Sequence, residues 1–362
     1  MEKSLHFMIP YLNKEGVRQR ALAAGPMEEK RRKARTLVKR FSSAGDAAAL
    51  ASAISEIRLI SKLDEEIRLP LADAGAIPLL AGHLVAVPPI ASPSSQENAS
   101  ASLLNLSISA REPLMSTPGI LDALAYSLRS SAPAAVAQNS AATVFSLLSV
   151  DTYRPIIGSK KALISALISL IRAPNQAART VKDALKALFG VALYAMNRAK
   201  MVELGAVPAL FSLVLQEERS GVLEDATAVI AQVAGCYESL EAFRKVAGFR
   251  ALVDLMDKAT GAKGRVRENA AAALLNLAMS GGEAAVGEIR EVEDAEEVVR
   301  ELAEAGISAR AKTKAEALLK VLGSERRCRR GEHWIGDLDS ESEYSSVPSP
   351  RLWYSSGDSS SY

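Results

Sequence analysis

Polar and apolar positions follow one another along this chain with the spacing of α-helices, and the same arrangement returns several times. In the clearest copy Asn98 and Asn105 stand seven residues apart, and Asn269 and Asn276 repeat this pair. Seven residues make two turns of an α-helix, so the side chains of each pair lie on the same face. Apolar residues such as Leu103 mark a second face of the same predicted helix. The pattern therefore predicts helices with one polar and one apolar side.

The copies recur with a nearly constant period. They lie 41 to 44 residues apart and begin at Asn98, Asn139, Asp183, Asp225, Asn269 and, more weakly, Thr313. Two columns of the repeat are apolar in every copy: Leu103, Val144, Leu188, Ile230, Leu274 and Leu318, and then Leu106, Leu147, Val191, Val233, Leu277 and Val321. A third column is small in the first five copies: Ala99, Ser140, Ala184, Ala226 and Ala270. A period in the forties with helical spacing inside it is typical of solenoids of the armadillo or HEAT type.

Glycine and proline divide each repeat into three predicted helices. Gly75 is expected to end one helix in the left-handed conformation. Pro78 is acceptable in the first turn of the next helix, where its missing N–H has no helical partner. The same device recurs at Gly205–Pro208 and, in looser form, at Gly119 and Gly248. Three helices per repeat favour the armadillo unit over the two-helix HEAT unit.

The predicted fold class is all-α, a right-handed armadillo-repeat superhelical solenoid of about six to seven units over residues 46–322. Asp46 is the expected N-cap of a long helix over Ala47–Ser61. Loops between units are expected at Pro88–Ser95 and Ala259–Gly264, where proline, serine, glycine and lysine accumulate.

Residues 1–45 form a predicted N-terminal extension, whose first part shows little pattern and is expected to be partly disordered. A basic run from Lys30 to Arg40 lies inside a predicted helix with Leu37, Val38 and Phe41 on its apolar side. One interpretation is a nuclear-import signal or a patch for anionic surfaces. The other, which we favour, is a solvated helix face that caps the solenoid.

Residues 323–362 form a predicted disordered tail. From Ser340 to Tyr362, 10 of 23 residues are serine, a composition that cannot bury enough apolar area to fold alone. Both tryptophans of the chain, Trp334 and Trp353, lie in the tail, as does Ser349, which precedes a proline and is the best-placed phosphorylation site. One hypothesis is that the tail docks on a partner, or on the array itself, under control of phosphorylation. The alternative is a tail without function.

Composition limits the classes of function. Hydrophobic residues make up 48% of the chain and aromatic residues only 5%, so the core must consist of aliphatic side chains. The net charge of +2 creates no overall field that attracts nucleic acid or an anionic membrane, and neither partner is expected. No apolar run approaches the ~18 residues that a membrane span needs. Two cysteines cannot form a disulfide framework, which fits a reducing compartment. We expect a monomer in the cytoplasm and/or nucleus.

No constellation of catalytic residues is visible. The three histidines, His6, His83 and His333, are scattered, and none has a metal-binding companion one helical turn away. Cys236 is expected to be a small buried hydrophobe at the end of a long helix. Cys328 stands among arginines, which can lower the pKa of a thiol. We therefore predict that the chain is not an enzyme and has no cofactor and no metal site.

The candidate site is a polar column on the last, longest helix of each repeat. Stacked and curved repeats expose one row of helices on their concave side, and the long helices are expected to form that row. The predicted partner-groove residues are Asn98, Asn105, Asn139, Ser146, Asp183, Asp225, Gln232, Asn269 and Asn276. Asparagine has both a donor and an acceptor and can clamp the backbone of an extended peptide. The alternative is that some of these side chains cap neighbouring loops and bind nothing.

The chain resembles plant armadillo-repeat proteins of the U-box ubiquitin-ligase type. The resemblance covers roughly residues 46–322 and rests on the segments Glu56–Ser61, Ala74–Leu80, Gln96–Ala99 with Leu104–Ser107, Arg267–Ala270 and Ala309–Ala315. In that family the array recruits substrates or receptor partners, and a preceding U-box recruits the ubiquitin-conjugating enzyme. About forty-five residues precede the array here and show no U-box pattern. The resemblance therefore implies partner recognition without ligase activity.

A second resemblance concerns the carrier importin-alpha, which holds cargo with tryptophan and asparagine in the final helix of each unit. Asn105 and Asn276 are similar to its asparagine, but Ala101 and Ala272 stand where its tryptophan would be. This departure argues against binding of nuclear-signal cargo.

Two functions stay open at the level of the sequence. The first is a non-enzymatic scaffold that binds a partner protein or peptide in its concave groove, in signalling or ubiquitin-linked turnover. The second is a substrate-recruiting component of a U-box type E3 ubiquitin ligase.

Overall fold

A computed structural model describes residues 14–86, 91–129, 132–216, 219–306 and 308–328. These residues form helices and the turns that join them. They fall into two compact units, of which unit 1 extends to Ser146 and unit 2 begins at Leu147.

Unit 1 contains two leading helices followed by triplets of a short, a medium and a long helix. The leading helices are α1 (Lys14–Ser42) and α2 (Ala47–Leu63). The triplets are α3 (Arg68–Asp73), α4 (Ala76–Val85) and α5 (Pro93–Ser109), and then α6 (Arg111–Ser116), α7 (Ile120–Ser127) and α8 (Ala134–Leu147). We call the last helix of each triplet its third helix.

Unit 2 continues the same pattern over its described residues. Its helices are α9 (Tyr153–Ser159), α10 (Lys161–Arg172), α11 (Ala178–Ala192), α12 (Arg198–Glu203), α13 (Ala206–Gln216), α14 (Ser220–Val233), α15 (Ser239–Lys245), α16 (Gly248–Met256), α17 (Gly264–Glu291), α18 (Ala295–Ala305) and α19 (Ala309–Cys328). The third helices are α11, α14, the first part of α17, and α19. A break at Gly282, where φ is 56°, separates the two parts of α17, and its second part opens the last triplet. The three-helix repeat predicted from the sequence is confirmed.

Glycine corners separate the first and second helices of several triplets, as predicted. Gly75, Gly119 and Gly205 adopt φ values of 90°, 78° and 84°, a region that residues with a Cβ atom avoid. Pro78 and Pro208 follow within the first turn of the next helix. A left-handed residue ends one helix, and the chain turns sharply into the next.

At the corner predicted for Gly248, a different residue adopts the left-handed conformation. The left-handed residue is Ala247, with φ of 51°, and Gly248 is already the first residue of α16. A Cβ atom on Gly248 would lie 3.0 Å from both Phe211 and Phe243, whose rings meet edge to face with centroids 5.3 Å apart. Gly248 therefore serves close packing against this aromatic pair.

Two of the long helices, α2 and α5, begin at side-chain caps. Asp46 accepts a hydrogen bond from the backbone of Ala49 at 2.7 Å, which confirms the predicted N-cap of α2. Ser92 and Ser95 form a reciprocal capping box at the start of α5, with Pro93 in the first turn. The loop predicted at Pro88–Ser95 therefore ends earlier, at Ser92.

The predicted apolar columns form the core of both units. The first column is fully buried in every copy, from Leu103 to Leu318, and so is the small column from Ala99 to Ala270. In the last copy the register changes, because Ala315 and Leu322 are buried while Lys314 and Val321 are half-buried. The last helix, α19, continues past the predicted end of the array to Cys328.

The N-terminal helix packs on the array through the predicted apolar side. Leu37, Val38 and Phe41 are buried, and Ala34 is buried beside them. The helix begins at Lys14, earlier than the sequence pattern indicated, while residues 1–13 lie outside the described part of the chain. The tail after Cys328 also lies outside it, and so does Ser349.

Candidate functional site

The polar column of α5 bonds to the preceding long helix, α2. Arg58 donates to Asn98 Oδ1 at 2.6 Å, while Asn105 Nδ2 donates to Ser61 Oγ at 3.1 Å and to the Arg58 carbonyl at 3.4 Å. Both asparagines are half-buried. They therefore tie one long helix to the one before it and keep part of each side chain accessible.

The polar column of α8 makes the same kind of bond to α5. Asn139 Nδ2 donates to Ser100 Oγ at 3.0 Å, and Ser146 Oγ donates to the Ser107 carbonyl at 2.9 Å. Asn139 is half-buried, whereas Ser146 is buried. In unit 1 every predicted groove residue is thus bonded to the preceding long helix, about one repeat earlier in the chain.

In unit 2 the asparagines of α17 repeat this arrangement with α14. Asn269 Nδ2 donates to Thr227 Oγ1 at 3.0 Å and to the Glu224 carbonyl at 3.1 Å. Asn276 Nδ2 donates to the Ala231 carbonyl at 2.7 Å, the shortest of these bonds. Both side chains are half-buried.

Two other predicted residues of unit 2 pair with basic side chains. Asp183 lies 3.9 Å from Lys186 on the same helix, α11, and is half-buried. Gln232 Oε1 accepts from Arg198 Nη2 at 3.2 Å. The asparagines of the column bond to the preceding long helices, and the alternative that some of these side chains cap neighbouring loops and bind nothing stays open. The role of these nine residues in partner binding stays a prediction.

Asp225 is the exception in the column. It is 6% exposed, and its Oδ2 atom accepts no hydrogen bond from the described residues. Burial raises the pKa of this carboxyl to about 6, although the positive charges of Lys182 and Lys186 act to lower it. At neutral pH the side chain is therefore a poorly compensated buried charge.

We attribute the missing hydrogen-bond partner of Asp225 to the sequence of α11, the preceding third helix. Asn139 and Asn269 donate to the hydroxyl groups of Ser100 and Thr227, which lie in the preceding third helices. The corresponding position before Asp225 is Leu185, which has no polar atom in its side chain. The column therefore changes from matched amide pairs to an unmatched carboxylate within unit 2.

The asparagine ties leave side-chain acceptors at the surface of each unit. Asn105, Asn139, Asn269 and Asn276 use their NH2 groups for the ties, and their Oδ1 atoms accept no hydrogen bond from the described residues. Among the predicted groove residues, only Asp225 has a buried atom without a partner, so these four oxygens reach the solvent. Each one can accept a hydrogen bond from a backbone N–H of a bound chain.

A column of arginines at the starts of the short helices was missed in the sequence. Arg68, Arg111, Arg154 and Arg198 follow one another at steps of 43, 43 and 44 residues, a periodic signal that could have revealed them. Each donates Nε–H to a backbone carbonyl at the end of a long helix, at 2.9 to 3.2 Å; the acceptors are Ser61, Ser146, Leu148 and Ala192, respectively. Basic side chains at this place satisfy carbonyls that have no helical partner.

The remaining candidates for chemistry are structural. His83 is buried, lies 2.8 Å from Ser95 Oγ and meets the Phe41 ring at its edge, and burial lowers its pKa. Cys236 is half-buried, three residues beyond the end of α14, and burial raises the pKa of its thiol. Among the described residues no three His, Cys, Asp or Glu side chains converge on a possible metal site. His6, His333 and Cys328 contribute no described side chain.

The basic run of α1 is partly neutralised by acidic neighbours. Lys30 lies 2.8 Å from Asp64 and 2.7 Å from Glu66, and these hydrogen bonds raise its pKa and lower that of Asp64. Arg40 lies 2.6 Å from Glu56 on α2. The pairs favour the interpretation of this run as a helix face packed beside the array.

The triplets of helices and their buried columns define an all-α armadillo-repeat solenoid. A family model agrees with this class: the one described as plant U-box protein ARM repeat region matches residues 33–330. The chain belongs to that family. No single helix among the described residues is long and apolar enough to cross a membrane, although the bent pair Ala195–Glu203 and Ala206–Gln216 passes a test of length and composition alone.

Individual proteins show the same relation. U-box domain-containing protein 16 of Arabidopsis thaliana is 31% identical over 306 residues, which are 83% of this chain and 42% of that protein. U-box domain-containing protein 17 of the same plant is 32% identical over 292 residues, 78% of this chain and 37% of that protein. The chain thus spans less than half the length of these relatives. A solved engineered protein is 22% identical with a TM-score of 0.69, over 80% of this chain and 68% of its own, and shows the fold alone.

Proposed function

We propose that the third helices of each unit bind a protein partner or an extended peptide, and that the protein is a non-enzymatic interaction scaffold in signalling or ubiquitin-linked turnover. The supporting observation is the accessible asparagine oxygens that each unit presents, as described above. Small residues stand three positions after the first polar residue of several copies: Ala101, Ala142, Ala228 and Ala272. Without long side chains at these positions, a bound backbone can approach the helices closely.

Quantitative affinity capture tests this proposal. Tagged protein with the change Asn276→Ala should lose a partner several-fold, because it loses both the acceptor and the tie that positions the acceptor. The captured proteins are compared with those of the unchanged chain by mass spectrometry.

Asn197→Ala is the matched control. Asn197 is buried and donates to the carbonyls of Arg154 at 3.0 Å and Val191 at 2.9 Å, so its loss also weakens contacts between triplets. It does not belong to the polar column of the third helices. Asn197→Ala should therefore lower stability and keep the partner. Equal loss of partner in both variants, or in neither, contradicts the proposed surface.

A second candidate function is substrate recruitment for a U-box ligase that acts in trans. It is favoured by the relatives, which are named as U-box domain-containing proteins. A ubiquitination assay with activating and conjugating enzymes separates the two candidates. Modification of a captured partner only after a U-box ligase domain is added supports the second function. Autoubiquitination by the purified chain alone contradicts the non-enzymatic assignment.

A further inference from the structure

The ends of the third helices form one edge of unit 2. Helix α11 contacts α14, α14 contacts the first part of α17, and α17 contacts α19. The bonds from Asn269 to Thr227 and from Asn276 to Ala231 hold neighbouring third helices parallel and in register. Their C-terminal ends therefore follow one another along this edge, which we call the unit 2 edge and define as residues 193–198, 235–238 and 279–282.

This edge exposes large apolar side chains. Met196 is 77% exposed and Tyr237 is 73% exposed, and Tyr194 and Met279 are also exposed within the residues of this edge. Arg198 Nη1 donates to the Gly235 carbonyl at 3.3 Å, which holds the loop of Tyr194 and Met196 against the loop of Tyr237. The residues therefore form a patch, whereas singly exposed apolar side chains are common on any surface.

A positive charge without a counter-ion lies within the patch. The Arg198 guanidinium is half-buried and donates to the Ala192 and Gly235 carbonyls and to Gln232, which are all neutral acceptors. Among the described residues no carboxylate lies within 4.0 Å of it, although the equivalent Arg154 pairs with Asp151 at 2.7 Å. Two of its five N–H donors have no partner in the described chain.

A ligand of the patch needs apolar side chains and a negative charge, and one segment of this chain has both. Residues 329–362 contain both tryptophans, Trp334 and Trp353, and the acidic run from Asp337 to Glu343. They follow directly on α19, at the same edge and two third helices away from α14. Neighbouring helices pack 8–10 Å apart, which puts the patch about 20 Å away. Roughly thirty residues at about 3.3 Å each can reach on the order of 100 Å.

We propose that residues 329–362 dock on the unit 2 edge of the same chain, with aromatic side chains against Tyr194, Met196 and Tyr237 and a carboxylate of the acidic run on Arg198. The covalent connection favours this occupant over a separate acidic protein, because a tethered segment has a local concentration in the millimolar range. The inference does not rest on the proposed partner site, which lies on the faces of the third helices.

Tryptophan fluorescence of the full chain tests the docking, because both tryptophans lie in the proposed segment. Docking gives blue-shifted emission that acrylamide quenches weakly. A neutral quencher is required, since iodide would itself be attracted to Arg198. The double change Met196→Ser with Tyr237→Ser should shift the emission to the red and raise the quenching constant several-fold, while far-UV circular dichroism stays that of the unchanged chain.

Leu215→Ser is the matched control. Leu215 lies in unit 2 and is 73% exposed, as Tyr237 is, but it stands at the end of α13, away from the edge. It should leave both the emission and the quenching unchanged. Three results overturn the proposal: fully exposed tryptophans in the unchanged chain, protection that survives the double change, and protection that is lost on dilution. The last result would assign the contact to a second copy.

Discussion

The third helices of unit 1 and unit 2 hold the same polar column with different chemistry. In unit 1 neutral asparagines and a serine meet hydroxyl and carbonyl groups and, at Asn98, the Arg58 guanidinium of the preceding long helix. In unit 2 the asparagines of α17 keep this arrangement, whereas Oδ2 of Asp225 in α14 has no hydrogen-bond partner in the described part of the chain, and Leu185 stands at the corresponding position of α11. We therefore expect a polar residue at this position to stabilise the stack only when the preceding long helix supplies the complementary group.

The largest expected effect is common to both units and concerns the core column. Leu103→Ala and Leu274→Ala each remove a fully buried side chain and should lower the free energy of unfolding by about 2–5 kcal/mol. Urea denaturation followed by circular dichroism measures both. A cost below about 1 kcal/mol in only one unit would show that the columns are not equivalent.

Loss of an asparagine tie should lower the free energy of unfolding by less than loss of a core leucine, and by different amounts in the two units. Asn276→Ala leaves the Ala231 carbonyl without its bond and should cost about 1–3 kcal/mol. Asn105→Ala should cost less, because Ser61 Oγ already donates to the Arg58 carbonyl at 3.1 Å and both groups keep that bond. The same denaturation experiment compares the two variants, and a larger loss for Asn105→Ala would contradict this account of the ties.

Asp225→Asn should stabilise unit 2 at neutral pH. The raised pKa means that the folded chain binds a proton more tightly than the unfolded chain. The contribution of this group is therefore fully present below about pH 4 and is lost as the pH rises through about 6. An amide at this position removes the buried charge.

The gain from Asp225→Asn is on the order of 1–2 kcal/mol at pH 8 and close to zero at pH 4. Thermal unfolding at a series of pH values measures it. Asp183→Asn is the control, because that carboxylate is half-buried beside Lys186 and should show little change. A gain that is equal at both pH values would mean that the charge of Asp225 is not its cause.

The smallest effect compares two corners between helices. Gly119 of unit 1 and Ala247 of unit 2 both adopt positive φ, and the space around Gly119 is open. Gly119→Ala should cost about 1 kcal/mol through backbone strain alone, and Ala247→Gly should gain a similar amount. Opposite signs in thermal unfolding are expected. A loss from Ala247→Gly would show that contacts of the methyl group outweigh the strain.

Local rules predicted the parts of the fold that depend on one residue and its neighbours in sequence. The N-cap at Asp46 and the left-handed corners at Gly75, Gly119 and Gly205 follow from backbone geometry, and the buried columns follow from helical spacing. The corner at Ala247 did not follow, because Gly248 was the better candidate by conformation. Gly248 is instead needed because the rings of Phe211 and Phe243 leave no room for a Cβ atom, and Phe211 is distant in sequence.

The positions of the polar residues on the long helices were predictable from the sequence, and their contacts only in part. The period placed Asn105 and Asn276 on accessible helix faces, but it could not show that their NH2 groups bond to the preceding helix. The isolation of Asp225 depends on Leu185, one repeat earlier, so only the packed pair of helices reveals it. The arginine column escaped notice because it lies outside the hydrophobic pattern.

The arginine column has a consequence for how such a protein can diverge. Arg68, Arg111, Arg154 and Arg198 bind main-chain carbonyls, which every amino acid supplies. Substitutions on the long helices therefore leave this joint intact, and the exposed faces can change while the connection between repeats persists. Selection can explore new recognition surfaces on an inherited scaffold. A duplicated repeat with an arginine like Arg68, Arg154 or Arg198 would carry a side chain that bonds to the long helix before it.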